Sequence, residues 1–413
     1  MRILFYQKSG KGAVISSGVH ITEVLARLSR IGYSIIFVDG VHYSTTAPEK
    51  TDIVSPVSHP ESPWERIKSF ISTLPFRGEA LISFYFLKEI QLFFLALRPI
   101  LCNKPDLIYR RHTMFYGNYI LSWLFSIPSI IEVNGIIEDE IRITKRGDRF
   151  SQWIISKVER YNFLKANRYI VVTSELKEVL HKDYGTSEDK IIVVENGANT
   201  DLFKPMDGLH AKRELNLSLN HQYICFVGQL APWQGVEFLI STMPFVLKEY
   251  PGSIALIIGD GKMKVKLTRL AAQRGISNEV VFIGKVTYEE VPWYINASDI
   301  CVAPFVKERN QRIGLSPLKL CEYLACGKPV VASRISGLEI LEKYNCGYLI
   351  NPESPEELAQ AIIKLLRDPI LRQSMGENGR KYVLENRSWE SVAKKLSATF
   401  ENIVKVLDLP PPN

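Results

Sequence analysis

Short apolar runs alternate with longer helical patterns along the whole chain. The first half contains six runs with the length and β-branched content of buried strands, which begin at Arg2 (RILFY), Ser34 (SIIFVD), Asp106 (DLIYR), Ser129 (SIIEVN), Arg168 (RYIVVT) and Lys190 (KIIVVE). Residues 19–31 place apolar side chains at helical spacing, and Gly32 follows as a helix stop. Apolar strands that alternate with helices predict a parallel sheet covered by helices.

The second half repeats this alternation. Its six runs begin at Gln222 (QYICFVG), Ser253 (SIALIIG), Glu279 (EVVFIG), Asp299 (DICVAPF), Pro329 (PVVAS) and Gly347 (GYLI). Residues 196–222 between the two series are polar and rich in turn residues, which predicts a domain boundary, placed here after residue 203. One long amphipathic helix is predicted over residues 387–409. The predicted fold class is α/β, with two Rossmann-like domains that face each other across a cleft.

Composition and charge exclude several classes of protein. The net charge of +7 is modest and no motif of a DNA- or RNA-binding module occurs, so no nucleic-acid partner is expected. The six cysteines form no C-x-x-C pair and lie mostly in apolar segments, which predicts buried free thiols and no metal site. The chain opens on a strand pattern instead of a signal peptide, which favours a cytoplasmic location.

The most apolar stretch, residues 81–101, has two interpretations. Lys88 and Glu89 lie at its centre, where charges are costly in lipid, so a membrane-spanning helix is not expected. The first interpretation is a helix packed in the core. The second is peripheral contact with the inner face of an anionic membrane, helped by basic residues elsewhere: Lys8, Lys11, Arg66 and Lys68.

The candidate chemistry is concentrated in residues 314–333, GLSPLKLCEYLACGKPVVAS. The pattern predicts a glycine loop, a helix with Ser316 as N-cap and Pro317 as first residue, and a buried strand. Lys319 and Glu322 then share one helix face. The free N–H groups of a helix start and a nearby cation favour a phosphate, while a carboxylate one turn later can accept hydrogen bonds from sugar hydroxyls. The motif predicts a nucleotide-sugar site, although a helix cap that serves stability alone would have the same Ser-Pro sequence.

Further candidates follow the predicted strands, at the edge where open α/β sheets bind ligands. In the second half these are Gly228, Gln229, Gln234, Gly259 and Val286. In the first half they are Gly18, Arg110, His112, Asn134 and Glu138. Turns and ordinary structural contacts explain each of these residues equally well when taken singly. Glu132, inside an apolar strand, needs a buried partner, for which Arg110 and Arg111 are candidates. The loop after the first strand lacks a dinucleotide fingerprint and a P-loop, which argues against NAD binding and ATP hydrolysis.

Together these segments resemble the retaining glycosyltransferases of the GT-B fold, of the group 1 or family 4 type. The resemblance is carried by PDLIYRRHTMF, IPSIIEVNG, VENGANTDLFKP, FVGQLAPWQGVEFL, IIGDGKMKVKL, VVFIGKVTYEEVPWYINASDICVAP, GLSPLKLCEYLACGKPVVAS and RSWESVAKKL. It implies an acceptor domain over 1–203, a nucleotide-sugar domain over 204–386, and a helix over 387–409 that packs back on the first domain. It also implies sugar transfer with retained configuration from a nucleoside diphosphate sugar to a hydroxyl of a glycan or lipid-linked acceptor. No cofactor and no bound metal are expected.

The resemblance also implies roles for single residues. Glu322 matches the ribose ligand, Lys319 would stabilise the leaving diphosphate, and Asn134 would face the transferred sugar. The donor would further contact the backbone of the loop formed by Gly314, Leu315, Ser316, Pro317 and Leu318. Gly18, Arg110, His112 and Glu138 would lie on the acceptor or sugar side.

Three positions depart from the family pattern. Gly314 occupies the place of the first of two glutamates, and Gln229 and Gln234 replace the arginine and lysine that usually bind the diphosphate. Charge neutralisation then depends on Lys319, the helix start and either Arg309 or Arg312. Two alternatives stay open. One is a nucleotide-sugar epimerase, which uses the same two-domain architecture, and the other, suggested by these departures, is a non-catalytic binding subunit of a glycan assembly complex.

Overall fold

The computed structural model describes residues 1–6, 16–38, 43–46, 77–114, 117–143, 148–308 and 310–407. The chain divides into two compact units, Met1–Val194 with Ala393–Asn413 and Glu195–Val392. The division lies after Val194, whereas the sequence analysis placed the boundary after residue 203.

The segment between these two positions is held by elements of the second unit. The Asn196 N–H donates to the Ser316 hydroxyl at 2.9 Å, and the Ala198 N–H donates to the Arg387 carbonyl at 2.8 Å. Phe203 is fully buried in the core of the same unit. Turn-rich composition therefore indicated the crossing between units within a few residues, but the bonding of those residues decides to which unit they belong.

The described part of the first unit forms a seven-stranded sheet with the order β3-β2-β1-β4-β5-β6-β7. The strands are β1 (Arg2–Tyr6), β2 (Ser34–Val38), β3 (Tyr43–Thr46), β4 (Leu107–Arg111), β5 (Ser129–Val133), β6 (Arg168–Val171) and β7 (Ile191–Val193). All pairs are parallel except β2 with β3, which is antiparallel. The six predicted strands are confirmed. The edge strand β3 was missed because its sequence, YSTT, is short and polar.

Helices cover this sheet. They are α1 (Ser16–Arg30), α2 (Arg77–Asn103), α3 (Asn118–Phe125), α4 (Ile137–Ile143), α5 (Arg149–Asn162) and α6 (Ser174–Lys182). Helix α2 contains residues 81–101, and its Leu92, Ala96 and Ile100 pack in a core with strand residues such as Leu4. This spacing of four residues is that of one helix face. No helix in the described ranges is long and apolar enough to span a bilayer.

The second unit contains a six-stranded sheet with the order β10-β9-β8-β11-β12-β13, in which all pairs are parallel. The strands are β8 (Gln222–Val227), β9 (Ser253–Ile258), β10 (Val280–Gly284), β11 (Ile300–Ala303), β12 (Val330–Ser333) and β13 (Gly347–Ile350). Its helices are α7 (Gly208–Glu214), α8 (Val236–Glu249), α9 (Lys264–Gln273), α10 (Val291–Ala297), α11 (Asn310–Ile313), α12 (Leu318–Ala325), α13 (Ile340–Lys343), α14 (Pro355–Arg367) and α15 (Pro369–Asn386). All six strands were predicted.

The last helix, α16 (Trp389–Leu407), contributes to both units in turn. In the second unit the Trp389 N–H donates to the Ala198 carbonyl at 3.1 Å. In the first unit the buried Phe400 ring lies 5.3 Å from the ring of Tyr109, and the Tyr33 hydroxyl lies 2.7 Å from the Ser397 hydroxyl. The apolar face of the helix is therefore covered by the first unit's sheet and α1–β2 connection.

Candidate functional site

The carboxyl ends of β8 and β11 meet at the centre of the second unit's sheet. The strand order reverses at this pair, and ligands of open α/β sheets bind at such a point. Gly228 and Gln229 follow β8, while Phe305 follows β11. The side chain of Lys319, from the first turn of α12, lies at this position.

Lys319 is buried between two aromatic rings and one amide. Its Nζ lies 3.9 Å from the centroid of the Phe226 ring and 5.3 Å from that of Phe305. The same atom donates a 2.7 Å hydrogen bond to Oε1 of Gln234, a residue 85 positions away in the chain. The aromatic faces attract the cation, and the amide oxygen satisfies one of its donors.

The surroundings lower the pKa of the Lys319 ammonium to about 7. Burial is the largest cause because it disfavours the charged form, while the nearby Glu322 carboxylate raises the pKa and limits the shift. Glu322 lies one turn further along α12 and is itself buried. The helix therefore presents a poised cation and a carboxylate on one face, as the spacing predicted.

Two glycines make room for this arrangement. Gly228 has φ of +147°, and a Cβ at this position would lie 2.6 Å from Nζ of Lys319. Gly259 has φ of +131°, and a Cβ there would lie 1.9 Å from the Gly228 carbonyl oxygen. Neither conformation nor space suits another residue. Gly228, Gly259, Gln234 and Lys319 thus lie close together at these strand ends.

The predicted cap of α12 is wrong. The helix begins at Leu318, and Pro317, in extended conformation, precedes it as an N-cap without a side-chain hydrogen bond. The Ser316 hydroxyl accepts the Asn196 N–H, and the Ser316 carbonyl accepts Nδ2 of Asn196 at 2.6 Å. Ser316 therefore anchors the entering chain instead of capping the helix.

The backbone of the loop is also partly engaged. The Leu315 N–H donates to the Ser336 carbonyl at 2.8 Å, so this group is occupied, and Pro317 has no N–H. The N–H groups of Ser316 and Leu318 remain as candidates for an anion. Gly314 is buried with φ of +64°.

The remaining second-unit candidates lie near this point with different exposure. Gln229 is exposed, while Val286, half-buried, packs against the core. Arg312 is half-buried in α11. Arg309 lies outside the described residues.

In the first unit, the carboxyl end of β5 holds a buried carboxylate network. Oε1 of Glu132 lies 3.0 Å from Nε2 of His20 in α1, and the Tyr109 hydroxyl donates to Oε2. Nδ2 of Asn134 also donates to Oε1. Gly18 lies in the first turn of α1, two residues before His20. Glu132 thus fixes the amide orientation of Asn134, a predicted site residue.

The network keeps Glu132 ionised. Burial by itself would raise the pKa of this carboxyl, but the charge and hydrogen bond of His20 hold the pKa well below its usual range. The charge of Arg111 and the Tyr109 hydroxyl act in the same direction. Of the two arginines that the sequence analysis considered as partners, Arg110 is bound elsewhere, whereas Arg111 acts on Glu132 through its charge.

Arg110 is fully buried against α2. Its Nη2 donates to Oε2 of Glu89 at 2.6 Å and to the Thr113 hydroxyl at 2.8 Å, while Oε1 of Glu89 accepts the Gly117 N–H at 2.6 Å. This pair explains the charge at the centre of the apolar segment 81–101: Glu89 points into the protein. In this conformation the Arg110 guanidinium is engaged in holding α2 and the start of α3.

His112 is likewise held by a buried carboxylate. Its Nε2 lies 2.7 Å from Oε1 of Glu159, and its ring stacks on Phe163 with centroids 4.8 Å apart. The Glu159 carboxylate also accepts the N–H groups of Ile137 and Glu138 at 2.8 and 2.9 Å, at the first turn of α4. Acceptors at a helix start satisfy its free N–H groups. The structure therefore brings His112 and Glu138 together through Glu159.

The sequence analysis missed His20 and Glu159, although the position of each on an amphipathic helix indicates a buried polar contact. His20 precedes Val24 by one turn on the buried face of α1, and Glu159 follows Ile155 by one turn on that of α5. A titratable residue on the apolar face of an amphipathic helix requires a buried partner. Phe226 and Phe305, the rings around Lys319, carry no comparable signal because they look like ordinary core residues.

Comparisons with known proteins agree with this architecture. A family model described as "Glycosyl transferases group 1" matches residues 210–382, and one described as "Glycosyltransferase Family 4" matches residues 17–202. The HepE protein of Anabaena, solved in complex with UDP-glucose, is 18% identical with a TM-score of 0.69, over 97% of this chain and 100% of that one. At this identity the likeness concerns the fold.

Two curated relatives are closer in sequence. An uncharacterized glycosyltransferase of Methanocaldococcus jannaschii is 30% identical over 61% of this chain and 64% of its own length. A GDP-mannose-dependent monoacylated alpha-(1-6)-phosphatidylinositol monomannoside mannosyltransferase of Corynebacterium glutamicum is 30% identical over 48% of this chain and 52% of its own length. The chain thus spans less than two thirds of either relative. The family 4 model matches most of the first unit and the group 1 model most of the second, and the GT-B fold is shared with solved structures, so the chain is a GT-B glycosyltransferase of the group 1 and family 4 type.

Proposed function

We propose that this protein transfers a sugar from a nucleoside diphosphate sugar to a hydroxyl acceptor with retention of the anomeric configuration. The observation that carries the proposal is the position of Lys319. Its ammonium lies where β8 and β11 end, backed by two aromatic rings and held by a neutral amide.

The neutral partner of Lys319 favours an anionic ligand. A phosphate oxygen can displace the Gln234 amide from Nζ without leaving a buried carboxylate unpaired, which would be costly. The N–H groups of Ser316 and Leu318 lie at the start of the same helix, where partial positive charge also favours phosphate. This arrangement suits a diphosphate, and we propose that its binding requires no metal ion.

Glu322 supplies the second feature of a nucleotide site. It is buried one turn after Lys319, so it lies on the same side of α12. A carboxylate in this position can accept hydrogen bonds from both hydroxyls of a ribose. The Corynebacterium relative is named for a GDP-mannose donor, and HepE was solved with UDP-glucose, so both kinds of donor are nucleoside diphosphate sugars.

In the proposed reaction the bond between the anomeric carbon and the diphosphate oxygen breaks, and the acceptor oxygen bonds to the same face of that carbon. The proton of the acceptor hydroxyl passes to the departing phosphate oxygen, so no protein base is assigned. Lys319 and the helix start stabilise the charge that develops on the leaving group. Asn134, held by Glu132, is the first unit's proposed contact to the sugar, with Gly18, Arg110, His112 and Glu138 supporting the acceptor side.

The acceptor is proposed to be a glycan or a lipid-linked glycan, in polysaccharide or glycolipid synthesis at the cytoplasmic face of a membrane. The Corynebacterium relative is named for a phosphatidylinositol monomannoside acceptor, which supports this class. Gly314, in the place of a family glutamate, favours one second candidate, a binding subunit that holds the donor without transferring it.

A ligand screen followed by product analysis tests the proposal. At a ligand concentration of about 100 times Kd, a ligand that binds the native state stabilises it by about 2.7 kcal/mol, enough to raise Tm by several degrees. We expect one nucleoside diphosphate and its sugar to do so for the natural chain and for the variant Lys328→Met, but not for Lys319→Met. Lys328 is a matched control because it is a half-buried lysine of the same unit, bonded to the Asn296 carbonyl at 2.9 Å.

Incubation of the binding donor with glycan acceptors then separates the functions. Transfer with retained configuration, seen by NMR coupling constants of the product, supports the proposal. An inverted product contradicts retention, an epimerised free donor identifies an epimerase, and binding without turnover identifies a binding subunit. If no nucleotide raises Tm, the donor site proposed here is wrong.

A further inference from the structure

The first unit exposes an unusually aromatic surface on two neighbouring helices. Trp123 of α3 is 80% exposed, and Trp153 and Phe150 of α5 are 58% and 57% exposed. Monomeric proteins rarely leave large aromatic side chains clustered in water, and such patches usually mark an interaction site.

The exposed side chains form one continuous face. Phe150, Trp153, Lys157 and Tyr161 follow each other at intervals of three or four residues, which places them on one side of α5. The Phe150 and Trp153 rings stack with centroids 6.1 Å apart. The Tyr161 ring contacts Tyr119 of α3 at 6.1 Å, and Trp123 lies one turn beyond Tyr119. The face therefore continues from α5 onto α3.

Cations are interleaved with these rings. Lys157 and Lys165 are exposed, and Nζ of Lys165 lies 5.1 Å from the centroid of the Tyr161 ring. The carboxylate within α5, Glu159, is buried on the opposite side against His112. Trp123, Phe150, Trp153, Lys157, Tyr161 and Lys165 are named here the aromatic–cationic face.

We propose that the aromatic–cationic face docks on an anionic lipid surface. Indole and phenol rings with an apolar body and a polar tip partition to the boundary between headgroups and acyl chains. Lysines one turn away place their ammonium groups at the level of anionic headgroups while their stems cover apolar surface. The pattern is that of a helix lying in the plane of the interface.

Charge argues against a second copy of this chain as the occupant. Self-association through this face would bring Lys157 and Lys165 towards the same cations of the partner copy, and like charges at an interface are unfavourable. An anionic bilayer is instead complementary at every cation. The inference goes beyond the proposed function because it assigns membrane contact to named residues of α3 and α5.

Vesicle sedimentation with the full chain tests this inference. The probes are large vesicles of phosphatidylcholine alone and of phosphatidylcholine with phosphatidylglycerol. We expect binding to the anionic vesicles that weakens in higher salt, because the Debye length falls from about 10 Å at 0.1 M to about 3 Å at 1 M. The double variant Trp123→Ser with Trp153→Ser, and the charge variant Lys157→Glu with Lys165→Glu, should each lower the partition coefficient about tenfold or more.

A matched control removes apolar side chains of similar exposure from the second unit. Val265 and Ile370 are 71% and 81% exposed there, so Val265→Ser with Ile370→Ser should leave vesicle binding unchanged. Circular dichroism and Tm show whether each variant folds. Nucleotide binding, measured by calorimetry in the absence of vesicles, should be equal in all variants, so failure of this inference is distinguishable from failure of the donor site.

Three results would overturn the inference. In the first, the natural chain fails to bind anionic vesicles. In the second, the tryptophan variant binds them as well as the control variant does. In the third, light scattering shows that the natural chain is a dimer and the tryptophan variant a monomer, and neither binds vesicles. The last result would identify a second copy as the occupant.

Discussion

The sheets of the two units share the order of six strands, to which the first unit adds β7 at one edge, but they differ in the charge that they bury at the strand ends. In the second unit a cation, Lys319, is held by the neutral Gln234. In the first unit an anion, Glu132, is held by His20, Tyr109 and Asn134. A cation with an exchangeable neutral partner suits a phosphate, whereas a carboxylate with several donors is already satisfied. We infer that the same sheet topology can carry a ligand site in one unit and a rigid support in another.

The largest expected effect is on the stability of the first unit, through its buried Glu132. Glu132→Ala should lower the free energy of unfolding of this unit by about 3–5 kcal/mol, because it removes the buried carboxylate that contacts His20 and accepts the Tyr109 hydroxyl. Hydrogen exchange of the β4, β5 and β6 amides measures the loss.

The matched control is an exposed ion pair of the second unit, Arg334 with Glu342, whose Nη2–Oε1 distance is 2.6 Å and whose side chains are 53% and 46% exposed. Glu342→Ala should cost at most about 1 kcal/mol. Because Asn134, which Glu132 holds, is proposed to contact only the sugar, the affinity of the Glu132 variant for the sugar-free nucleoside diphosphate should stay at the natural value. If that affinity falls with the loss of Glu132, the division of tasks between the units is wrong.

The second prediction concerns the second unit's cation. Lys319→Met should reduce kcat/KM for sugar transfer by about 10²–10³, the usual loss when a group that stabilises the leaving charge is removed. Initial rates at low donor concentration measure this, with Lys328→Met as the control for loss of a hydrogen-bonded, half-buried lysine in the same unit. Equal rates in the two variants would show that Lys319 is structural.

The third prediction relocates the charge within the site. The ends of the Lys319 and Gln234 side chains meet, with 2.7 Å between Nζ and Oε1. A lysine at position 234 should therefore reach the same phosphate, and Lys319→Met with Gln234→Lys should regain about tenfold in kcat/KM, or about 1.4 kcal/mol. Gln234→Lys in the natural chain is the control, where two adjacent cations should weaken folding. No recovery in the double variant would mean that position, not charge alone, is required.

The last prediction is a pH dependence of stability. The pKa of Lys319 is lowered by burial to about 7 in the folded chain, so between pH 7 and 10 the unfolded chain binds the additional proton. The free energy of unfolding therefore rises with pH in this range, by up to about 1.4 kcal/mol per pH unit. Lys319→Met should therefore stabilise the chain more at pH 6 than at pH 10, as measured by denaturant unfolding. The opposite trend would show that the ammonium is favoured in the folded state.

Much of the fold followed from local patterns. Every predicted strand is present, because continuous apolar runs can only be buried as sheet interiors in this α/β context. The edge strand Tyr43–Thr46 escaped because polar residues at a sheet edge leave no periodic signal. The predicted Ser316 cap failed for another reason: its hydroxyl is taken by Asn196, 120 residues earlier in the chain.

The sequence by itself determined the alternation of strands and helices and the placement of Lys319 and Glu322 on one helix face. Both are properties of residues a few positions apart, where backbone periodicity dictates direction. Only the tertiary structure decided that Gln234 meets Lys319, that Glu132 meets His20, and that Glu159 meets His112. Parallel sheets join strands through long crossovers, so side chains at neighbouring strand ends come from distant positions, and no local pattern records which of them will touch.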